Sequence, residues 1–347
     1  MVRAGACHIA GDAFGHISGT IGRQGHYDET LPQIISESPP ALQVLELFSP
    51  PSADRFFRPV QDSPLTALAP PPSSQASAEA SLPPPEIQEL REGPWLQIRY
   101  PDGFEYNRIT LPIPGLLPAF VPLRILHLTD LHLRPGWGPS FDELIQRVKA
   151  DPPDLILFTG DLVEHHFDPR PAYETAGRLV SSLASRYGKF AILGNHDGDL
   201  LGPMLEGWGL NLINGRTRRL TINGGAIDLV GLPGVHKHDL TDEFLARVPP
   251  KEPGVLRIVM THYPDTVRRI VNLHADVVLA GHTHGGQICL PGGWPLMTHD
   301  TLPKRMCQGV HRTHGTWLIV GRGFGFSTWP FRLFCPAEVI EVRFAGI

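Results

Sequence analysis

Five short polar segments constrain this chain more than anything else in it. In order they are Asp130-Leu131-His132, Gly160-Asp161, Gly194-Asn195-His196-Asp197, Thr261-His262 and Gly281-His282-Thr283-His284. Each follows an apolar run that reads as a short buried strand: Ile125 to Leu128, Leu155 to Phe158, Ala191 to Leu193, Ile258 to Met260 and Val277 to Ala280. Runs this short, separated by helical stretches, predict an α/β layered domain. The expected helices are Phe141 to Ala150, Ala172 to Ser185, Leu200 to Glu206, Asp242 to Arg247 and Thr266 to Asn272. Asn223-Gly224 predicts a tight hairpin between Arg218 to Ile222 and Ala226 to Gly231. Pro101-Asp102-Gly103 predicts a second hairpin, joining Trp95 to Tyr100 with Phe104 to Leu111. Trp317 to Val320 and Glu338 to Arg343 close the domain as strands.

The polar segments carry metal-ligand chemistry. Asp130 and His132, one residue apart in an extended segment, project to the same side and can share an ion. Asp161 has two carboxylate oxygens with which to bridge two cations, and Gly160 lets the backbone come close. Asn195 offers a neutral hard oxygen, while His196 beside it can stay unligated and act on substrate. His282 and His284 can face two ions from one loop. Ligands at the carboxyl ends of core strands are where open α/β sheets place their sites. This mixture of imidazole, carboxylate and amide suits borderline divalent metals such as Mn, Fe, Zn or Co.

The rest of the chain bounds the reading. Composition changes near Pro94: residues 36 to 86 are rich in Pro, Ser and Ala, with Pro70-Pro71-Pro72 and Pro83-Pro84-Pro85. Such a stretch buries too little apolar surface to offset its ordering entropy. Residues 1–94 are therefore expected to be a mostly disordered extension, with one short helix at Ala41 to Phe48, and residues 95–347 the folded domain. The formal charge of −5 and the lack of any basic, aromatic-interleaved stretch argue against a nucleic-acid partner. Cys7, Cys289, Cys307 and Cys335 form no CxxC pair, which makes a reducing, cytoplasmic compartment the expectation, and the last three read as ordinary buried thiols. Residues 1–25 hold no apolar signal core, and no stretch has the length of a membrane span. Leu111 to Leu126 is the most apolar segment, but four prolines interrupt it. Leu116, Leu117, Phe120 and Val121 are expected to pack on the domain, with peripheral contact at the inner membrane face as the alternative.

The order D-x-H, G-D, G-N-H-D, H, G-H-x-H resembles the calcineurin-like metallophosphoesterase superfamily, over roughly Trp95 to the C-terminus. Gly281-His282-Thr283-His284-Gly285-Gly286-Gln287-Ile288 and Gly321-Arg322-Gly323-Phe324-Gly325, with the later Arg332 and Cys335-Pro336-Ala337-Glu338, are similar to its bacterial YkuE-like branch. That branch includes UDP-2,3-diacylglucosamine pyrophosphatases and other phosphodiesterases. The resemblance implies a four-layer α/β/β/α sandwich and two divalent ions, Mn, Fe or Zn. Asp130, His132, Asp161 and His284 would hold one ion; Asp161, Asn195, His262 and His282 would hold the other. A hydroxide bridging the ions would attack phosphorus. His196 would orient the phosphoryl oxygen or protonate the leaving group, with Asp197 holding its imidazole. The implied substrate is a phosphorylated small molecule or a lipid-linked nucleotide such as UDP-2,3-diacylglucosamine. The alternatives are a general phosphodiesterase or phosphomonoesterase on soluble substrates, and a non-catalytic scaffold on the same fold. Arg322, in its glycine-rich loop, is a candidate phosphate clamp. His165, soon after Asp161, is a candidate substrate contact.

Overall fold

A computed structural model describes residues 82–164, 168–198 and 201–347. Residues 1–81 of the extension expected to be disordered, its helix at residues 41–48, Cys7 and His165 lie outside the described residues.

Two mixed β-sheets stack face to face. The first runs in the order β1 (Glu86–Arg91), β3 (Glu105–Ile113), β17 (Glu338–Gly346), β4 (Ile125–Leu128), β5 (Leu155–Thr159), β6 (Lys189–Ile192), β7 (Asn211–Leu212). The second runs β14 (Gly309–Thr313), β15 (Thr316–Val320), β11 (Val277–Ala280), β10 (Leu256–Met260), β9 (Gly225–Gly231), β8 (Arg216–Ile222). The first sheet takes in residues 86–91, N-terminal to the domain start expected at residue 95.

Period-2 alternation shows why these strands are apolar throughout. Ile125, Leu155 and Leu157 turn inward and meet Ile258, Met260, Val277, Leu279 and Ile319 from the opposite sheet. Their neighbours Leu126, Leu128, Ile156 and Phe158 turn outward, under helices α1 (Pro139–Ala150) and α2 (Tyr173–Ser182). Val259, Val278, Ala280, Leu318 and Val320 turn outward on the other side. There they are covered by Leu240, Val267, Ile270, Leu302 and Met306, with Phe244 and Leu245 of α4 (Asp242–Arg247) against them. The result is the expected α/β/β/α order of layers. A short α3 (Gly202–Gly207) follows β6.

Asn223 and Gly224 both take positive φ, 51° and 81°, and make the expected hairpin between β8 and β9. The second expected hairpin is a correction. Both edges of β3 are already occupied, by β1 and β17, so β2 (Leu96–Ile98) pairs instead with β16 (Phe331–Leu333). Gln97 fastens this arrangement: its amide nitrogen donates to Gly103 O at 2.6 Å and its oxygen accepts from Ala337 N at 2.8 Å. The helix expected at 266–272 is resolved into two 3₁₀ turns, Pro264–Arg268 and Val271–Leu273.

Leu111 and Ile113 belong to β3, and Phe120 is buried, as packing on the domain requires. Leu117 and Val121 remain exposed just before β4 begins, at the end of the sandwich away from Asp130. No helix among the described residues is long and apolar enough to cross a membrane.

Candidate metal centre

β4, β5 and β6 run parallel, as do β10 and β11. Their carboxyl ends therefore fall on one edge of the sandwich, and the five polar segments emerge there together. Asp130, His132, Asp161, His282 and His284 adopt positive φ between 40° and 69°. Such backbone is costly for residues with a Cβ and persists where the surroundings enforce it, as they do at functional sites. Two glycines let the segments come this close. A Cβ on Gly194 would strike the Asp161 carboxylate, and one on Gly281 would strike Thr129 and Asp130.

Two groups of donors meet at Asp161. In one, His132 Nε2 lies 2.9 Å from His284 Nε2, which is 3.4 Å from Asp130 Oδ1. In the other, His262 Nε2 lies 3.0 Å from Asn195 Oδ1 and 3.2 Å from His282 Nδ1. Asp161 Oδ2 stands between them, 3.5 Å from His132 Nε2 and 3.3 Å from His262 Nε2. All seven expected ligands are thus gathered in one place, and Asp130–His132–His284 and Asp161–His262–His282 each have the spacing to hold an ion.

Hydrogen bonding around the rim tests whether cations fit. His262 Nδ1 faces Thr159 O at 2.9 Å, His282 Nε2 faces His299 O at 3.2 Å, and His132 Nδ1 meets the Glu164 carboxylate. An imidazole whose outer N–H is donated to oxygen presents a lone pair at its other nitrogen. With their outer nitrogens so engaged, His132, His262 and His282 turn their inner nitrogens toward Asp161, where each can give a lone pair to a cation.

Charge agrees. Burial opposes protonation of His262, but the Asp161 carboxylate beside it outweighs burial and lifts it to about 9. His132 is likewise raised against burial, by its Glu164 hydrogen bond and by Asp161. The buried carboxylates thus draw protons onto His262 and His132 that bound divalent ions would displace. His282 is pushed down to about 3 by burial and by His262, and His284 falls well below its usual range through burial, His132 and Arg332. Both are therefore neutral donors.

His196 sits at the mouth of the cluster. Its backbone N–H donates to Asp161 Oδ1 at 2.8 Å and its ring stands edge-on to His132. Asp197 does not perform the task expected of it. Its carboxylate accepts the backbone N–H groups of Leu162, Val163 and Gly194, at 2.6, 3.2 and 2.8 Å, and so ties two ligand loops together. The carboxylate beside His196 is Glu164, whose Oε2 is 3.6 Å from His196 Nδ1. Burial works to raise Glu164, but the His132 hydrogen bond and the neighbouring histidines hold it down at about 2. Sequence reasoning missed Glu164; its one signal is its place three residues after Asp161, at the end of Gly160-Asp161-Leu162-Val163.

Arg322 is also a correction. It is 1% exposed and paired with the buried carboxylates of Glu105 and Glu338, so it holds strands together rather than facing a substrate oxygen. Arg332 does border these donors: its Nη2 lies 3.2 Å from His284 Nδ1. The same guanidinium donates to the carbonyls of Arg322 and Gly325 at 2.7 and 2.6 Å. Cys289, Cys307 and Cys335 are buried free thiols.

Comparison with known proteins agrees with this geometry. The profile of the calcineurin-like phosphoesterase family matches residues 123–286, which hold all five segments. The metallophosphoesterase YkoQ of Bacillus subtilis is 30% identical over 245 residues, covering 67% of this chain and 87% of YkoQ. The UDP-2,3-diacylglucosamine pyrophosphatase LpxG of Chlamydia trachomatis is 26% identical, covering 72% of this chain and 92% of its own. The phosphodiesterase YaeI of Escherichia coli is 30% identical, covering 63% and 80%. The chain belongs to the calcineurin-like phosphoesterase family, and it is a phosphoester hydrolase.

Proposed function

We propose that the chain hydrolyses phosphoester or pyrophosphate bonds at a two-metal centre held by Asp130, His132, Asp161, Asn195, His262, His282 and His284. The observation that carries this reading is the position of Asp161 Oδ2 between the His132 and His262 nitrogens. When bound, the pair of divalent ions supplies Lewis-acid stabilisation of the phosphoryl charge and a water acidic enough to attack near neutral pH. The chain's own residues do the rest. Thr159 O, His299 O and Glu164 fix the tautomers of three ligand imidazoles. Asp197 holds the turn that carries Asn195 and His196. His196, partly exposed at the mouth, delivers a proton to the leaving oxygen, and Glu164 steadies its imidazole. A non-catalytic scaffold reading is disfavoured because no member of the donor set is missing.

Glu164 is expected to act through His132. Glu164→Gln should weaken Mn²⁺ affinity about 10–100-fold, measured by titrating metal-free protein calorimetrically. Unchanged affinity would remove Glu164 from this role.

The finer reading is a lipid-linked nucleotide substrate, with UDP-2,3-diacylglucosamine as the type. It is supported by the similarity to LpxG. Incubation of the purified chain with Mn²⁺ and UDP-2,3-diacylglucosamine should release UMP. Cleavage of bis(p-nitrophenyl) phosphate without UMP release would leave a phosphodiesterase of soluble substrates.

A further inference from the structure

Beside the metal ligands lies a small second platform that none of the chemistry above uses. Strand β12 (Cys289–Leu290) pairs with β13 (Trp294–Pro295), and a bridge from Ile288 to Leu333 joins this hairpin to β16 and β2. Gln287, next to the ligand loop, clamps the platform: its amide donates to the carbonyls of Ser327, Trp329 and Phe331 at 3.0, 3.0 and 3.2 Å.

Alternation splits the β2–β16 pair into two faces. Gln97 and Arg332 point inward and are buried, whereas Leu96, Ile98, Phe331 and Leu333 share the other face. Ile98 is 62% exposed there, and Trp329 60%. On the hairpin, Leu290 and Trp294 are cross-strand partners, both about half exposed, and Leu296 and Met297 follow them into solvent. A soluble protein rarely leaves so many large apolar side chains together unless something covers them.

Charge identifies the cover. Segments 94–100, 286–299 and 326–334 contain no Asp or Glu, although the whole chain carries a formal −5. Exposed basic residues stand at the border. Lys304 Nζ donates to Leu296 O at 2.8 Å, and Arg99 N donates to Pro330 O at 2.6 Å. Tryptophan and leucine on segments without carboxylates, edged by lysine and arginine, match the interfacial layer of an anionic bilayer.

We propose that this platform is a membrane-docking face, which seats the chain on an anionic lipid surface with the metal centre alongside. It replaces residues 116–121, at the far end of the sandwich, as the point of membrane contact. His282 Nε2 faces His299 O at 3.2 Å, so two residues of chain and one polar contact link Met297 on the docked face to a ligand histidine. A phosphorus atom at headgroup depth would then need no extraction from the bilayer to reach the centre.

The test is flotation of the full-length chain with phosphatidylcholine vesicles, with and without phosphatidylglycerol. Wild type should float with the phosphatidylglycerol vesicles, and a Trp294→Ser/Trp329→Ser double variant should bind them at least about tenfold more weakly. Arg99→Gln/Lys304→Gln should lose about five- to tenfold, and only where phosphatidylglycerol is present. Hydrolysis of bis(p-nitrophenyl) phosphate should be unchanged in both variants, which shows that they are folded. Wild type that stays unbound, or a tryptophan double variant that binds equally well, overturns the proposal. A wild-type dimer dissociated by the same two tryptophan substitutions would assign the face to a second copy of the chain instead. Vesicle binding is read without turnover, so its failure leaves the hydrolase reading standing.

Discussion

Asp161→Ala should lower turnover of bis(p-nitrophenyl) phosphate by about 10³-fold or more, which is about 4 kcal/mol of barrier. The size of the effect follows from position. Asp161 Oδ2 is the one carboxylate oxygen placed against both histidine groups, at 3.5 and 3.3 Å, so its removal weakens both halves of the centre together. Its Oδ1 also accepts the His196 N–H at 2.8 Å, so the proton donor loses its anchor as well. The fold should survive, because Asp161 lies beyond the end of β5 and the layers are held by apolar contacts between sheets. His262→Ala should lose activity to a similar degree. Circular dichroism and thermal unfolding separate this outcome from misfolding. Residual activity within about tenfold of wild type in both variants would contradict the assignment of Asp161 and His262.

Arg322→Met should have the opposite character, with a large loss of stability. The side chain is buried between Glu105 and Glu338, which are themselves buried, and Asn107 Nδ2 also donates to Glu338 at 2.8 Å. Methionine would leave two carboxylates facing each other without a cation. Breaking such a buried pair costs about 3–5 kcal/mol, measurable by urea unfolding. A phosphate clamp would behave otherwise: a raised KM with stability unchanged.

The contrast between these two residues shows what the sequence discloses. Asp161 is legible because its neighbours are informative: an apolar run says strand, the glycine says close approach, and the other segments repeat the pattern in order. The layers are legible for the same reason, since Leu155 to Phe158 can be apolar at every position only if both faces are covered. Arg322 is equally conspicuous among its glycines, but nothing local reports that Glu105, 217 residues away, stands against it. Asp197 and Glu164 were exchanged in role for a similar reason. Adjacency to His196 suggested Asp197, whereas the turn aims that carboxylate at three backbone N–H groups and brings Glu164 across from the next strand end. The misplaced 95–111 hairpin failed at the same level. Pro101-Asp102-Gly103 is a valid turn, but strand pairing is decided by which edges are free, and β17 had taken the edge of β3.

The central claim is that two ions, shared by Asp161, form the reaction centre. It is tested most directly by titrating metal-free protein with Mn²⁺ while following bound metal and phosphodiester hydrolysis in the same samples. Activity should rise only as the second equivalent binds, and Asp161→Ala should never reach two. Full activity at one equivalent, or in metal-free protein, would contradict the account.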